Sequence, residues 1–322
     1  MQSVSAAPIC LIDSVPIHQD YVRGNNFLRM CDHVLTIELN RTMIDSLKIF
    51  LEKAPHIKEN DFIFCKNEFV ISEGFEKVLF ALKNPVHLVI HKGDFLIHHR
   101  WLDHPRVRNV FCSNLNSNLF HSQFSSFHPL PYGFAHPEFE GWPQTSKQQM
   151  DEVLQSKPAK TLDLYVPYHD EQNRFHARDS SVRIHFCEQL RHALPHFRMN
   201  VHVQKEKLSY SYHYGLLQKS KYAVVIPGPG WGNDSVRVWE CLLRGTVPIM
   251  KRSWEQGAWH SGLEYLALQH NLPMVFVDDW MEIEEKQICK KQMDFSNVSK
   301  ALKQDYWTQY MRKKCRTFGQ KF

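Results

Sequence analysis

The sequence predicts an α/β fold of two doubly wound units, and three observations carry that expectation. Strand-like apolar runs alternate with segments of helical spacing along most of the chain, the pattern of parallel sheets covered by helices. The length of 322 residues exceeds a typical domain of roughly 100–200 residues. Between Pro137 and Lys160 the composition shifts to Pro, Gly, Gln, Ser and Lys around one polar helical stretch, which divides the alternation in two and reads as a linker or hinge.

The first half begins with HVLTIEL, a strand, followed by a helix from Thr42 to Lys53 whose apolar residues Met43, Ile44, Leu47 and Leu51 fall at helical spacing. DFIFC is a short strand, the stretch around Phe75 to Leu82 a helix, and HLVI and NVFC two further strands; HPLPYGF reads as turn-rich. After the linker come the strand LDLYV, a helix from Ser180 to Ala193, the strand MNVHV, a helix ending near Ser220 and the strand AVVIP. The helix SVRVWECLL and the strands TVPIM and MVFV complete the second unit, and the tail from Glu282 to Phe322 is helical in pattern and basic at its end. The expected division is 1–145, 146–285 and a helical tail, 286–322, that packs back on the first domain.

Composition narrows the function. Hydrophobic residues make up 43% and aromatics 12%, which excludes a disordered chain. The net charge of +5 and pI near 8.7 come without a run of like charges, so a nucleic-acid arm is not expected and an anionic small molecule suits the balance. Eight scattered cysteines form no Cys-x-x-Cys pair and read as buried free thiols of a reducing compartment. No stretch reaches the ~20 apolar residues of a membrane span and no secretory leader is evident, so a cytoplasmic setting is expected.

The sharpest local signal is AVVIPGPGWGNDSVRVWECLL, a buried strand, a turn with Gly228, Gly230 and Gly232, and a helix that Asp234 or Ser235 would cap. In an open α/β sheet such a turn, with its freed backbone N–H groups and following helix N-terminus, favours a phosphate. Arg237 and Glu240 share one helix face, beside an apolar stripe of Val236, Trp239 and Leu243. A cation and a carboxylate there can hold a diphosphate and a ribose; a solvated ion pair beside a plain strand–turn–helix is the alternative. The glycine spacing is not that of a dinucleotide fingerprint.

Between Ser220 and Trp280 the chain resembles the donor-binding half of exostosin-like glycosyltransferases, family 47 and its virus-encoded relatives. The matching positions are Lys221, Pro227, Gly230, Gly232, Asp234, Arg237, Trp239, Glu240, Gly245, Pro248 and Asp278-Asp279-Trp280. The resemblance implies a GT-B fold, two Rossmann-like domains facing a central cleft, with a nucleotide-sugar co-substrate, UDP-linked by the family's habit, and no other cofactor. It also implies that Glu240 meets the ribose, Arg237 the phosphates or sugar, and Pro227, Gly228 and the segment Gly230, Gly232, Asn233, Asp234 and Ser235 the diphosphate. Val236 departs from the polar or aromatic residue often found there, which leaves the sugar open among xylose, glucuronic acid, N-acetylglucosamine, galactose and arabinose.

Relatives carry an arginine in the polar loop after the first strand of the second domain, here Arg178, with Arg174 and Arg183 as rivals; positive charge there suits a departing diphosphate. At the end of HLVI, an inverting transferase needs one general base for the acceptor hydroxyl. Asp94 is the first choice and His91 the second, with a carboxylate that merely caps the turn after Gly93 as the alternative. A metal held by His91, Asp94, His98 and His99 is disfavoured because adjacent histidines on an extended strand point apart. The expected partners are a nucleotide-sugar donor and a glycan acceptor, without nucleic acid. A metal-dependent phosphohydrolase and a catalytically silent sugar-nucleotide-binding protein are the competing classes. The aromatics of SYSYHYG, with Trp254, Trp259 and Trp280, stack on a base or sugar or else fill the core.

Overall fold

The computed structural model describes residues 21–36, 42–70, 72–91, 104–114, 126–134, 147–156, 158–167, 180–205, 208–226, 235–252 and 262–318. They build two parallel five-stranded sheets, as the alternation predicts. The first contains β1 (His33–Leu35), β2 (Phe62–Lys66), β3 (Val86–His91), β4 (Val107–Cys112) and β5 (Phe127–Pro129), hydrogen-bonded in chain order. The second contains β6 (Leu162–Pro167), β7 (Val201–Gln204), β8 (Ser220–Val224), β9 (Val247–Lys251) and β10 (Val275–Val277), in the order β10-β9-β8-β6-β7.

Period-2 alternation gives the first sheet two unlike faces. Ile63, Cys65, Leu88, Ile90 and Val110 point to one side and pack against Leu47, Phe50, Phe75 and Leu79 of the helices Met43–Lys53 and Glu73–Ala81. The first of these helices opens with a capping box: the Thr42 hydroxyl accepts from the Asp45 N–H while the Asp45 carboxylate accepts from the Thr42 N–H, which satisfies two orphan donors. Right-handed crossovers between strands paired in chain order place successive helices on one side of the sheet, which is where these lie. The opposite face presents Phe64, Val89 and Phe111 to a second cluster that also holds Trp239, Leu266 and Trp307 of the second half. Each large apolar side chain buried this way contributes about 1.5–3 kcal/mol.

Two readings change. HPLPYGF, read as turn-rich, begins inside strand β5, which lies at the sheet edge, where a proline such as Pro129 takes no central ladder position. The polar helix expected within 137–160 is present as Lys147–Gln155 and is tied to neighbouring segments. Met150 is buried, and the Asp151 carboxylate accepts from the Tyr21 hydroxyl at 2.6 Å and the Lys303 ammonium at 2.8 Å. The tail is broken into the helices Glu282–Glu285, Val298–Ala301 and Gln304–Phe318, with the left-handed residue Gln287 and a 3-10 turn between. Helices Gly24–Arg29, Asn67–Val70 and Gly262–His270 carried too little periodicity to be read.

The last helix bridges the halves. Trp307 is fully buried, its indole N–H donating to Ala301 O and its ring edge-on to Trp239 at 6.5 Å; Tyr310 meets His128 of β5 edge-on at 6.2 Å. Gly133 sits at φ +78°, and a Cβ there would lie 2.4 Å from the Val22 carbonyl oxygen, so only glycine admits this approach of the Tyr21–Arg23 strap. Among the described residues the cysteines are free thiols, as expected, and no helix is long and apolar enough to cross a membrane.

Candidate functional site

In the second sheet the chain lays β6, adds β7 on one side, then crosses back to place β8, β9 and β10 on the other. Open α/β sheets bind ligands where the winding reverses, in the crevice outside the strand carboxyl ends. Here that point lies between β6 and β8, which pair through Leu164 with Tyr222 and Tyr165 with Ala223. The two segments the sequence singled out begin at these neighbouring strand ends: the polar loop after Pro167 and the glycine-rich loop after Ile226.

Pro167, Val225, Ile226, His213 and Arg237 line a small cavity of about 50 Å³ there. The helix Val236–Leu243 starts beside it. Ser235 occupies the N-cap in extended geometry, one of the two expected capping residues, yet its hydroxyl makes no cap bond. Its Oγ is buried with no hydrogen-bond partner among the described residues. An N-terminus with an unspent hydroxyl favours an anion, as the partial positive charge of the helix start also does.

One turn into that helix, Arg237 and Glu240 meet, with Nη1 and Oε2 3.1 Å apart. Glu240 is 3% exposed, so its charge requires partners. The second is one that the sequence did not reveal: the Tyr214 hydroxyl donates to Oε1 at 2.8 Å from the helix Tyr210–Lys219. Burial, with the adjacent Glu240 carboxylate, pushes the Tyr214 phenol well above its ordinary value, so it stays a donor. Burial alone would lower the Arg237 guanidinium; Glu240, with Tyr210 and Tyr214, more than offsets it and keeps Arg237 charged. The Arg244 guanidinium stacks 3.6 Å from the Tyr214 ring centroid and donates to the Glu240 carbonyl at 3.2 Å, fixing the tyrosine from its other side. Next to this set the Tyr165 hydroxyl and His213 Nδ1 lie 2.9 Å apart.

The helix ends on Gly245 at φ +64°. Its N–H reaches Leu242 O and the Thr246 N–H reaches Cys241 O, the bond pair of a Schellman stop. Trp280 is core: fully buried, with its N–H donating to Phe186 O at 3.2 Å. Lys221 pairs with Asp163, Asp278 with Arg252, and Asp279 accepts from the Met281 N–H, so these matched positions serve the scaffold.

Among the other expected residues, Asp94, Arg174, Arg178, Pro227, Gly228, Gly230, Gly232, Asn233 and Asp234 lie outside the described residues, as do His98, His99, Trp254 and Trp259. Arg183 belongs to the helix Ser180–Ala193, and its side chain is likewise outside them. His91 ends β3 and is 1% exposed. Its Nε2 donates to the Pro131 carbonyl at 2.9 Å, which assigns the proton to that nitrogen, and its ring lies between Phe27 and Tyr132. No cluster of metal-ligating side chains is found among the described residues.

The first sheet carries a polar row on the face turned to the second half. Asn109 donates its amide N–H to His87 Nδ1 at 3.0 Å and accepts from His128 Nε2 at 3.1 Å. Burial, with Arg108 adding to it, lowers His87 to about 4; burial, with Lys314 and His87, lowers His128 to about 3.

No protein-family model matches the chain, and no curated protein matches it in sequence. Among solved structures, an α,α-trehalose 6-phosphate synthase from Burkholderia multivorans aligns over 88% of this chain and 78% of its own, at 10% identity and a TM-score of 0.41. An α,α-trehalose-phosphate synthase (UDP-forming) from Burkholderia xenovorans, in complex with glucose-6-phosphate, aligns over 86% of this chain and 80% of its own, at 10% identity and a TM-score of 0.43.

Proposed function

We propose that the protein is an inverting glycosyltransferase that moves a sugar from a UDP-linked donor to a hydroxyl of a glycan acceptor. The observation that carries this reading is the buried Glu240 carboxylate held by the half-buried Arg237 and Tyr214, beside a helix N-terminus whose Ser235 hydroxyl has no partner among the described residues, at the winding reversal of the second sheet. The motif resemblance over Ser220–Trp280, of which Arg237 and Glu240 are part, also supports it. In this reading the chain is of the GT-B kind, divided near residue 145, with 286–322 packed back on the first domain. Buried free thiols suit its cytoplasmic setting.

The roles follow from the chemistry. Each Glu240 oxygen already accepts one hydrogen bond and retains a second lone pair, so the carboxylate can also accept ribose hydroxyls while staying locked in place. Arg237 and Arg178 offset the charge that develops on the departing diphosphate. Asp94, with His91 as second choice, takes the proton of the acceptor hydroxyl. The hydroxyl oxygen forms the bond to the anomeric carbon as the bond to the diphosphate oxygen breaks, and that electron pair leaves with the nucleotide. The scheme calls for no metal.

A thermal-shift panel of nucleoside diphosphates and their sugars, with and without EDTA, tests it, because a ligand of the folded state alone raises the melting temperature. The expected result is a rise with a uridine nucleotide, indifferent to EDTA and lost in Glu240→Ala. No rise with any nucleotide would sink the reading, and a rise abolished by EDTA would favour a metal-dependent hydrolase.

A further inference from the structure

We propose that the cavity beneath the amino ends of β6, β8 and β9 is a second ligand site, built for a small organic phosphate carrying two or more negative charges. Its volume is about 790 Å³, within the range of small-molecule pockets. It lies at the opposite end of the second sheet from the winding reversal, walled by the segment Glu284–Phe295.

Charge selects the ligand. The cations Lys160, Arg198, Lys221, Lys290 and Lys291 face only two carboxylates, Asp163 and Glu284. Both carboxylates are engaged: Asp163 accepts from Lys221 at 2.8 Å and Glu284 from the Arg198 backbone N–H at 3.0 Å. The Lys160 ammonium is pinned by the Arg244 carbonyl and the Thr246 hydroxyl, and burial lowers it to about 8. That leaves the Arg198 guanidinium and the Lys290 and Lys291 ammonium groups without a carboxylate partner among the described residues. Set against both carboxylates, the five cations, Lys160 included, leave a surplus of three positive charges, which matches a phosphate monoester or a diphosphate; a monocarboxylate or a phosphodiester would leave most of it uncompensated. Met199, Met293 and Phe295 give the cavity apolar wall, so the ligand also presents an apolar ring or chain.

The site stands apart from the proposed donor site, although the helix Val236–Leu243 links them: it starts at the donor site, and Gly245, just past its end, lines this cavity.

The test uses the full chain, with inorganic pyrophosphate as the anion probe and sulfate as comparator, in lysine acetylation footprinting read by mass spectrometry and in titration calorimetry. Pyrophosphate is expected to slow acetylation of Lys290 and Lys291 at least fivefold while Lys48 and Lys300 on other surfaces react unchanged. A saturable binding step is expected to weaken at least tenfold in Arg198→Ala/Lys290→Ala/Lys291→Ala, whose substituted side chains are exposed, with the ligand-free melting temperature unchanged. Unprotected Lys290 and Lys291 would overturn the proposal, whatever binds at the donor site. Equal protection by sulfate would also overturn it, because it would show simple charge attraction. The single variant Lys290→Ala, expected to weaken binding at least threefold, gives the same reading should the triple variant not fold.

Discussion

The two sheets are built from the same parts, five parallel strands each, and differ in one respect: the first is paired in chain order and the second reverses. A sheet that never reverses sends successive crossovers over one face and so has no winding reversal of its own. Reversal makes the connections at β6 and β8 leave in opposite directions and opens a crevice between them. The polar chemistry follows that difference. In the first sheet the buried row His87–Asn109–His128 is joined by two hydrogen bonds through Asn109, and His128 meets Tyr310 edge-on. In the second, the buried carboxylate of Glu240 is held by partners from two helices beside a helix start whose Ser235 hydroxyl has no partner among the described residues. The first arrangement holds a face together, and the second holds a charge ready.

The comparison is broken most forcefully with acid. His87 and His128 are folded as neutral rings with values pulled below the unfolded one, so the unfolded chain binds more protons once the pH falls below about 6.5. Their stabilisation is complete above that pH and is lost as the pH falls toward about 4 and then about 3. Urea unfolding should lose about 4 kcal/mol between pH 7 and pH 5 from the two together, roughly 2 for each. A stability that stays flat to pH 5 would show that the row is not held neutral.

Tyr214→Phe sharpens the other side. It leaves a buried Glu240 oxygen short of a donor, and such a loss costs about 2 kcal/mol. Urea unfolding should show it, and nucleotide affinity should fall with it, because the carboxylate is no longer held from the Tyr210–Lys219 helix. Unchanged affinity with reduced stability would reduce Tyr214 to a packing residue. The smallest effect is expected for Gly245→Ala. A Cβ there meets only Lys160 Nζ at 3.8 Å, so the cost is the left-handed backbone alone, about 1 kcal/mol, with nucleotide binding retained. A loss much above that would mean that the helix end reports to the site.

Much of this molecule was legible locally. Period-2 and helical patterns located nine of the ten strands, at least in part, because burial on a sheet face or helix face is written in neighbouring residues. Strand β5 escaped because Pro129 and the Pro131 that follows carry the signature of a turn, and a sheet edge tolerates a proline. Arg237 and Glu240 were legible as a pair because one helical turn brings them together. Tyr214 was named only as part of an aromatic run. Nothing in SYSYHYG distinguishes the tyrosine that reaches Glu240 from Tyr212, which is exposed, since the choice depends on how two helices pack.

The sequence by itself determined that the chain forms two parallel α/β units, where the glycine-rich turn falls and which helix follows it. The tertiary structure alone decided the strand order, and so the crevice at β6 and β8, the tyrosine that locks the carboxylate, and the basic cavity at the far end of the sheet. The physical reason is range: propensity and periodicity act between residues a few positions apart. Strand order and side-chain partnership are settled by contacts such as Tyr214 with Glu240 or Lys221 with Asp163, which exist only once the sheets have assembled.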